Sequence, residues 1–178
     1  MTRNLLVATV ALLIPMASPA AVVQSSPDGA IVVHRFPIAA SPKAAWNILV
    51  HPELWWPSDH TWSGDRANLR LEAQAGGCFC ENWGESSAEH GRIVMAQPGT
   101  LLRIRGALGP LQEMAVTAVL TVKLAATDSG GTEATVTYRV SGDASHKLDA
   151  FFPAVDQVIG LQFGAFAAWA SAPPKPAP

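Results

Sequence analysis

The chain has 178 residues, 49% of them hydrophobic, and a net charge of −2. That is one ordinary domain's worth of chain, large enough to bury a core without metal or disulfide staples. With no basic stripe and no run of like charge it is a poor match for nucleic acid or anionic membranes, and two cysteines exclude a disulfide scaffold.

Residues 1–20 read as a cleavable export signal. Arg3 is the early basic residue, an apolar run follows from Leu5 to Ile14, and Ser18-Pro19-Ala20 offers small residues to a signal peptidase. The run is shorter than the roughly 20 residues of a membrane span. Cleavage after Ala20 would leave a periplasmic or secreted mature chain; an uncleaved anchor is the alternative. No later segment is expected to cross a membrane. The other end, Pro173-Pro174-Lys175-Pro176-Ala177-Pro178, can join neither a helix nor a central strand and reads as a loose tail. The folded domain is therefore placed at residues 24–172.

Ile31 to Ile38 is β-rich and opens that domain. Ser41-Pro42 supplies an N-cap and a first-turn proline for a short helix through Ala44, Ala45, Trp46, Ile48 and Leu49. Pro52 breaks it, and a second helical turn stops at Pro57. From Leu69 the period becomes two, with Leu69, Leu71 and Ala73 alternating against Arg70, Glu72 and Gln74. Strands are predicted at 78–83, 90–96, 100–107, 114–125 and 132–141, separated by Gly-, Pro- and Ser-rich turns. The last segment is helical from near Pro153, with Val155, Ile159, Phe163, Phe166 and Trp169 at helical spacing, and Leu148, Phe151 and Phe152 as a preceding turn. Only the sheet offers a surface broad enough to receive that helix.

This is the order of an α+β, helix-grip chain. The patterns Ala40-Ser41-Pro42-Lys43-Ala44-Ala45-Trp46, Gly76-Gly77-Cys78-Phe79-Cys80-Glu81 and Gly91-Arg92-Ile93-Val94 with Pro98, together with the final helix, carry a resemblance over about residues 30–170. The chain resembles the START-like (SRPBCC) superfamily, which includes polyketide cyclases, lipid-transfer proteins and Hsp90-activator homology domains. The resemblance implies a curved antiparallel sheet of about seven strands, two short helices after strand one, and a long C-terminal helix packed across the sheet over a cavity. It implies little about function, because one scaffold of this kind serves many ligands and chemistries.

Carried onto this chain, the cavity implicates Leu148, Phe152, Val155, Ile159, Phe163 and Phe166 on the helix, and the segment from His51 to Asp65 at the mouth. That segment holds Trp55, Trp56 and Trp62 beside His51, Asp59, His60 and Asp65. Tryptophan at a cavity entrance suits an aromatic or apolar ligand; alternatively the rings pin a long loop to the sheet or fill the interior. On strand 78–83, Phe79, Glu81 and Trp83 share a face, and a turn centred near Ser86 would set Arg92 opposite Glu81 and His90 opposite Trp83. Glu81 is then either an acid or base, with His60 and His90 as further proton carriers, or one half of an ion pair with Arg92.

Cys78 and Cys80 fall on the other strand face and read as buried thiols, a bridge, or metal ligands, burial being favoured. Without a second Cys pair or a His at ligand spacing, no metal is expected, and no nucleophile elbow, phosphate loop or dinucleotide fingerprint calls for a cofactor. The reading is an exported binding protein for a small apolar or aromatic molecule. The alternatives are a polyketide cyclase or dehydratase-like enzyme and, third, a protein-interaction domain.

Overall fold

The computed structural model describes residues 22–172, so the expected export signal and the expected loose tail lie outside the described residues. Among the described residues eight strands form one antiparallel sheet: β1 (Val22–Ser26), β2 (Gly29–Ile38), β3 (Leu69–Leu71), β4 (Cys78–Trp83), β5 (Ser86–Gln97), β6 (Leu101–Arg105), β7 (Thr117–Ala126) and β8 (Thr132–Ser141). Their order is β1-β2-β8-β7-β6-β5-β4-β3. The sheet has one strand more than the expected seven. The extra strand is β1, which folds back on β2 across Pro27-Asp28, pairing Ser26 with Gly29. Gln24 and Ser25 are exposed on this edge, so no apolar alternation announces the strand.

The sheet's inner face follows the period-two pattern. Ala118, Leu120, Val122 and Leu124 of β7 and Ala134, Val136, Tyr138 and Val140 of β8 are all buried. Between β2 and β3 the chain makes α1 (Pro42–Leu49) and α2 (Pro52–Trp55), then short 3-10 turns at Ser58–His60 and Arg66–Asn68. Ser41 caps α1 by accepting from the Ala44 amide, and Pro42 occupies the first turn, where a missing N–H costs nothing. Ala45, Trp46 and Leu49 form its buried face.

The C-terminal helix α3 runs Leu148–Ser171, starting five residues before the expected Pro153. An interior proline costs about 3 kcal/mol, but the added turn buries Leu148 and Phe152 completely. Each such side chain contributes about 1.5–3 kcal/mol, so burial wins. The Leu148 amide donates to the Pro27 carbonyl at 3.0 Å, which ties the helix start to the β1–β2 turn. By length and composition α3 is long and apolar enough to cross a membrane, contrary to the expectation that no later segment is. Here it packs across β1, β2 and α1, with Phe152, Phe163 and Phe166 buried in the core.

Candidate functional site

The site begins with the β4–β5 hairpin. Trp83 pairs with Ser86, so the turn is the two residues Gly84-Glu85, with Gly84 at φ +54°. A glycine at the first position of a two-residue turn matches the twist of antiparallel strands. This tight turn starts β5 four residues earlier than expected and changes the facing pairs. Glu81 lies opposite Ala88, not Arg92, and Trp83 lies opposite Ser86, not His90. Arg92 instead pairs across from Cys78, is exposed, and binds Glu89 through Nε at 2.8 Å.

A β-bulge follows at His90. Phe79 pairs with Gly91 and Cys80 with Glu89, leaving His90 as the extra residue on β5. The turn register already puts His90 on the inner face with Ala88 and Glu81; the bulge keeps Gly91 on that side as well and turns Arg92 outward. Glycine is required beside it. A Cβ on Gly106 would sit 2.2 Å from the His90 carbonyl oxygen, and one on Gly91 would sit 2.8 Å from the Arg105 oxygen.

The inward-facing His90 meets Glu81. Its Nε2 lies 3.0 Å from Glu81 Oε2, and the two side chains are only 5% and 0% exposed. The Trp62 amide donates to Oε2 at 3.0 Å and the Ser63 amide to Oε1 at 2.6 Å. Burial pushes the Glu81 carboxyl up, but hydrogen bonds from Ser63, the Trp62 amide and His90 outweigh it and hold the group below the usual carboxylate range. Burial pushes His90 below the usual histidine range, against the opposing pull of Glu81. At neutral pH the pair is therefore a carboxylate and a neutral imidazole. A carboxylate can only accept, so the imidazole proton sits on Nε2. Nδ1 makes no hydrogen bond with the described residues and is not among the sealed, unpartnered polar atoms.

His90 is part of the wall of a cavity of about 330 Å³. Phe151, Ala154, Val155, Val158, Ile159 and Gln162 of α3 form one side, and Leu108 to Leu111 a second. Trp56 and the segment Asp59 to Trp62 form the third, and Tyr138 joins His90 on the sheet. Trp56 donates its indole N–H to the His60 carbonyl at 3.0 Å, while Trp62 is 45% exposed. The Tyr138 hydroxyl accepts from the Leu108 amide at 2.9 Å and donates to the Gly106 carbonyl at 3.3 Å, and burial pushes its pKa up. Gln162 is buried, with its amide oxygen unpartnered.

Of the sequence-predicted residues, Trp56, Trp62, His60, His90, Val155 and Ile159 line this cavity, and Glu81 stands directly behind His90. Trp55, Phe79 and Phe163 surround a separate gap of about 10 Å³, too small for any organic ligand. Trp55 packs 5.6 Å from Phe163 and 5.3 Å from Phe166, and Phe79 lies 5.3 Å from Trp56 and 4.9 Å from His90. Phe152 is buried away from the cavity, and half-buried Trp83 is not part of its lining. Tyr138, Gln162, Phe151, Val158 and the Leu108–Leu111 segment are lining residues that the sequence reading passed over. Tyr138 carried only a strand signal, and the others sit on a helix stripe or a turn with no distinctive chemistry.

A second buried pair lies outside the cavity. His34 Nε2 of β2 approaches Asp156 Oδ1 of α3 to 2.7 Å, off the hydrogen-bond axis. On the outer sheet face Cys78 and Cys80 are half-buried and bonded to one another, with Cα atoms 5.4 Å apart, which corrects the favoured reading of buried free thiols. A regular strand would hold i and i+2 near 7 Å; the bulge between Phe79 and Cys80 accompanies the closer approach. Glu89 is the third potential metal ligand of this cluster. The bonded sulfurs offer no thiolate, and Arg92 engages the carboxylate.

No family model matches the chain, and no curated protein does. Solved structures do match. A structural-genomics protein of Chromobacterium violaceum aligns with a TM-score of 0.55 at 16% identity, covering 80% of this chain and 99% of its own. A Mycobacterium smegmatis protein aligns at 0.57 and 14%, covering 88% and 100%. Norcoclaurine synthase of Thalictrum flavum, solved as a point mutant with a transition-state analogue, aligns at 0.55 and 10%, covering 83% and 97%. At these identities the likeness concerns the fold alone: an antiparallel sheet holding a long C-terminal helix, shared along nearly the whole of each of these structures.

Proposed function

We propose that the chain is an exported, START-like binding protein that holds a small apolar or aromatic molecule in the cavity beneath α3. One observation carries the reading: a cavity of about 330 Å³ walled mainly by apolar side chains, with a few polar groups among them. That is the usual form of a small-molecule site, at the lower end of the common size range of about 300–1,000 Å³. The half-exposed Trp62 offers a flat face at the rim, suited to an aromatic ligand. Export is supported by Arg3, the Leu5–Ile14 run and Ser18-Pro19-Ala20, and a bonded Cys78–Cys80 pair accords with an oxidising compartment.

The test is native mass spectrometry of the protein recovered from the cell envelope or medium, followed by denaturing extraction. The expected result is a chain lacking residues 1–20 and a co-purifying apolar molecule. At 100 times its dissociation constant that molecule should stabilise the fold by about 2.7 kcal/mol. Val158→Phe, which fills the cavity from α3, should abolish the shift. A stabilisation equal in Val158→Phe would remove the cavity from the reading.

A second reading, an enzyme of the polyketide cyclase or dehydratase kind, is favoured by the Glu81–His90 pair at the cavity wall. Norcoclaurine synthase offers a precedent for an enzyme on this fold.

A further inference from the structure

We infer that His90 is a general base, presented to the cavity by Glu81, that removes a proton from a weakly acidic C–H of an apolar or aromatic ligand. The inference rests on the cavity being a ligand site. A buried Glu–His pair that served structure alone would be expected to satisfy both imidazole nitrogens, because buried polar atoms are rarely left unpaired. Here Nε2 is committed to Glu81 and Nδ1 has no partner among the described residues, in a residue that forms part of the cavity wall. Glu81 is held in turn by the Trp62 and Ser63 amides, so the imidazole has one tautomer and one orientation. The register set by the Gly84-Glu85 turn puts the ring on the inner face with Glu81, and Gly91 and Gly106 allow β5 and β6 to approach closely beside it. Gln162, another buried polar group of the lining, is uncommitted at its amide oxygen.

The step balances without a further reactant. His90 Nδ1 takes the proton, the C–H electron pair moves into the adjacent π system, and the Glu81 carboxylate offsets the imidazolium charge. The proton then returns to another atom of the ligand or to water. Burial that lowers the pKa of His90 keeps it neutral, the form a base requires, over a wider pH range. The titratable groups facing it are Glu81 from β4, Asp59 and His60 from the segment after α2, and Tyr138 from β8. The cavity face of α3 contributes no charge.

The probe is 5-nitrobenzisoxazole, a flat aromatic carbon acid. Loss of its C3 proton breaks the N–O bond, and the electron pair leaves as the coloured 2-cyano-4-nitrophenolate. Binding is read independently by quenching of tryptophan fluorescence. The full mature chain should open the ring with saturation, and the rate should rise with pH through one pKa below the usual histidine value. His90→Gln, which can still donate to Glu81, should bind the probe but lose about 10²-fold in kcat, the lower end of what a general base supplies. Glu81 is a positioning residue. Glu81→Gln should lower kcat and move the pKa of the rate profile downward, which a merely structural role would not do.

Binding with equal rates in wild type and His90→Gln overturns the base and leaves the cavity reading intact. Failure of the probe to bind overturns the cavity as an aromatic site, and this inference with it. Histidine-labelled wild type gives a measurement independent of whether the variants fold. A resting Nδ1 that carries the proton would also overturn the assignment.

Discussion

Replacing Glu81 by glutamine exchanges one acceptor oxygen for a donor in a fully buried place. If the new NH2 group takes the Oε1 position it faces the Ser63 amide; at Oε2 it faces the Trp62 amide. Either way one backbone donor is orphaned, at a cost of about 1–3 kcal/mol. The surviving bonds lose their charge assistance, which brings the total to roughly 2–4 kcal/mol. For a domain of this size that lowers Tm by about 4–16 °C. Urea unfolding at pH 7 with circular dichroism measures it, and the pH dependence supplies a second check. Glu81 has a folded pKa below its unfolded value of about 4.5, so the unfolded state binds more protons in that window. Its contribution is present above pH 4.5 and is lost as pH falls through the folded pKa. His90, lowered from about 6.5, acts in the same direction in a higher window, because acid protonates it more readily in the unfolded chain. Wild type should therefore lose stability on acidification in both windows, and Glu81→Gln should be flatter in the lower one. A cost below about 0.5 kcal/mol, with an unchanged acid profile, would refute the claim that Glu81 anchors the Trp62–Ser63 segment.

Tyr138→Phe removes the hydroxyl that bridges the Leu108 amide and the Gly106 carbonyl, and should cost roughly 1–3 kcal/mol while speeding hydrogen exchange at Leu108. Unaltered exchange at that amide would show that the bridge does not hold this side of the cavity. Gly106→Ala places a Cβ against the His90 carbonyl and Gly91 Cα, and should cost at least about 1–3 kcal/mol and shift the His90 ring resonances. A variant with wild-type melting and an unmoved His90 spectrum would argue against the close β5–β6 approach at the bulge.

Local chemistry was enough to read much of the fold. The alternation along β7 and β8, the Ser41-Pro42 start of α1 and the helical spacing of the last segment all express short-range rules, and the elements follow them. The site was less legible because strand periodicity leaves turn length and bulges open. The Gly84-Glu85 turn determines which residues face Glu81, and the His90 bulge turns Arg92 outward, because a single extra residue reverses the facing of all that follows it. Helical periodicity had a similar limit on α3. Phe151, Ala154, Val155, Val158, Ile159 and Gln162 form one stripe, toward the cavity, while Leu148, Phe152, Phe163 and Phe166 lie in the core beside it. Both are apolar at the same period, so spacing alone cannot distinguish a wall from a filled interior. The residue types at the site were thus present in the sequence. Only the β4–β5 register and the packing of α3 over it decided that His90 would meet Glu81 at the edge of an open space, because turn length fixes the pairing and the open space depends on a helix distant in the chain.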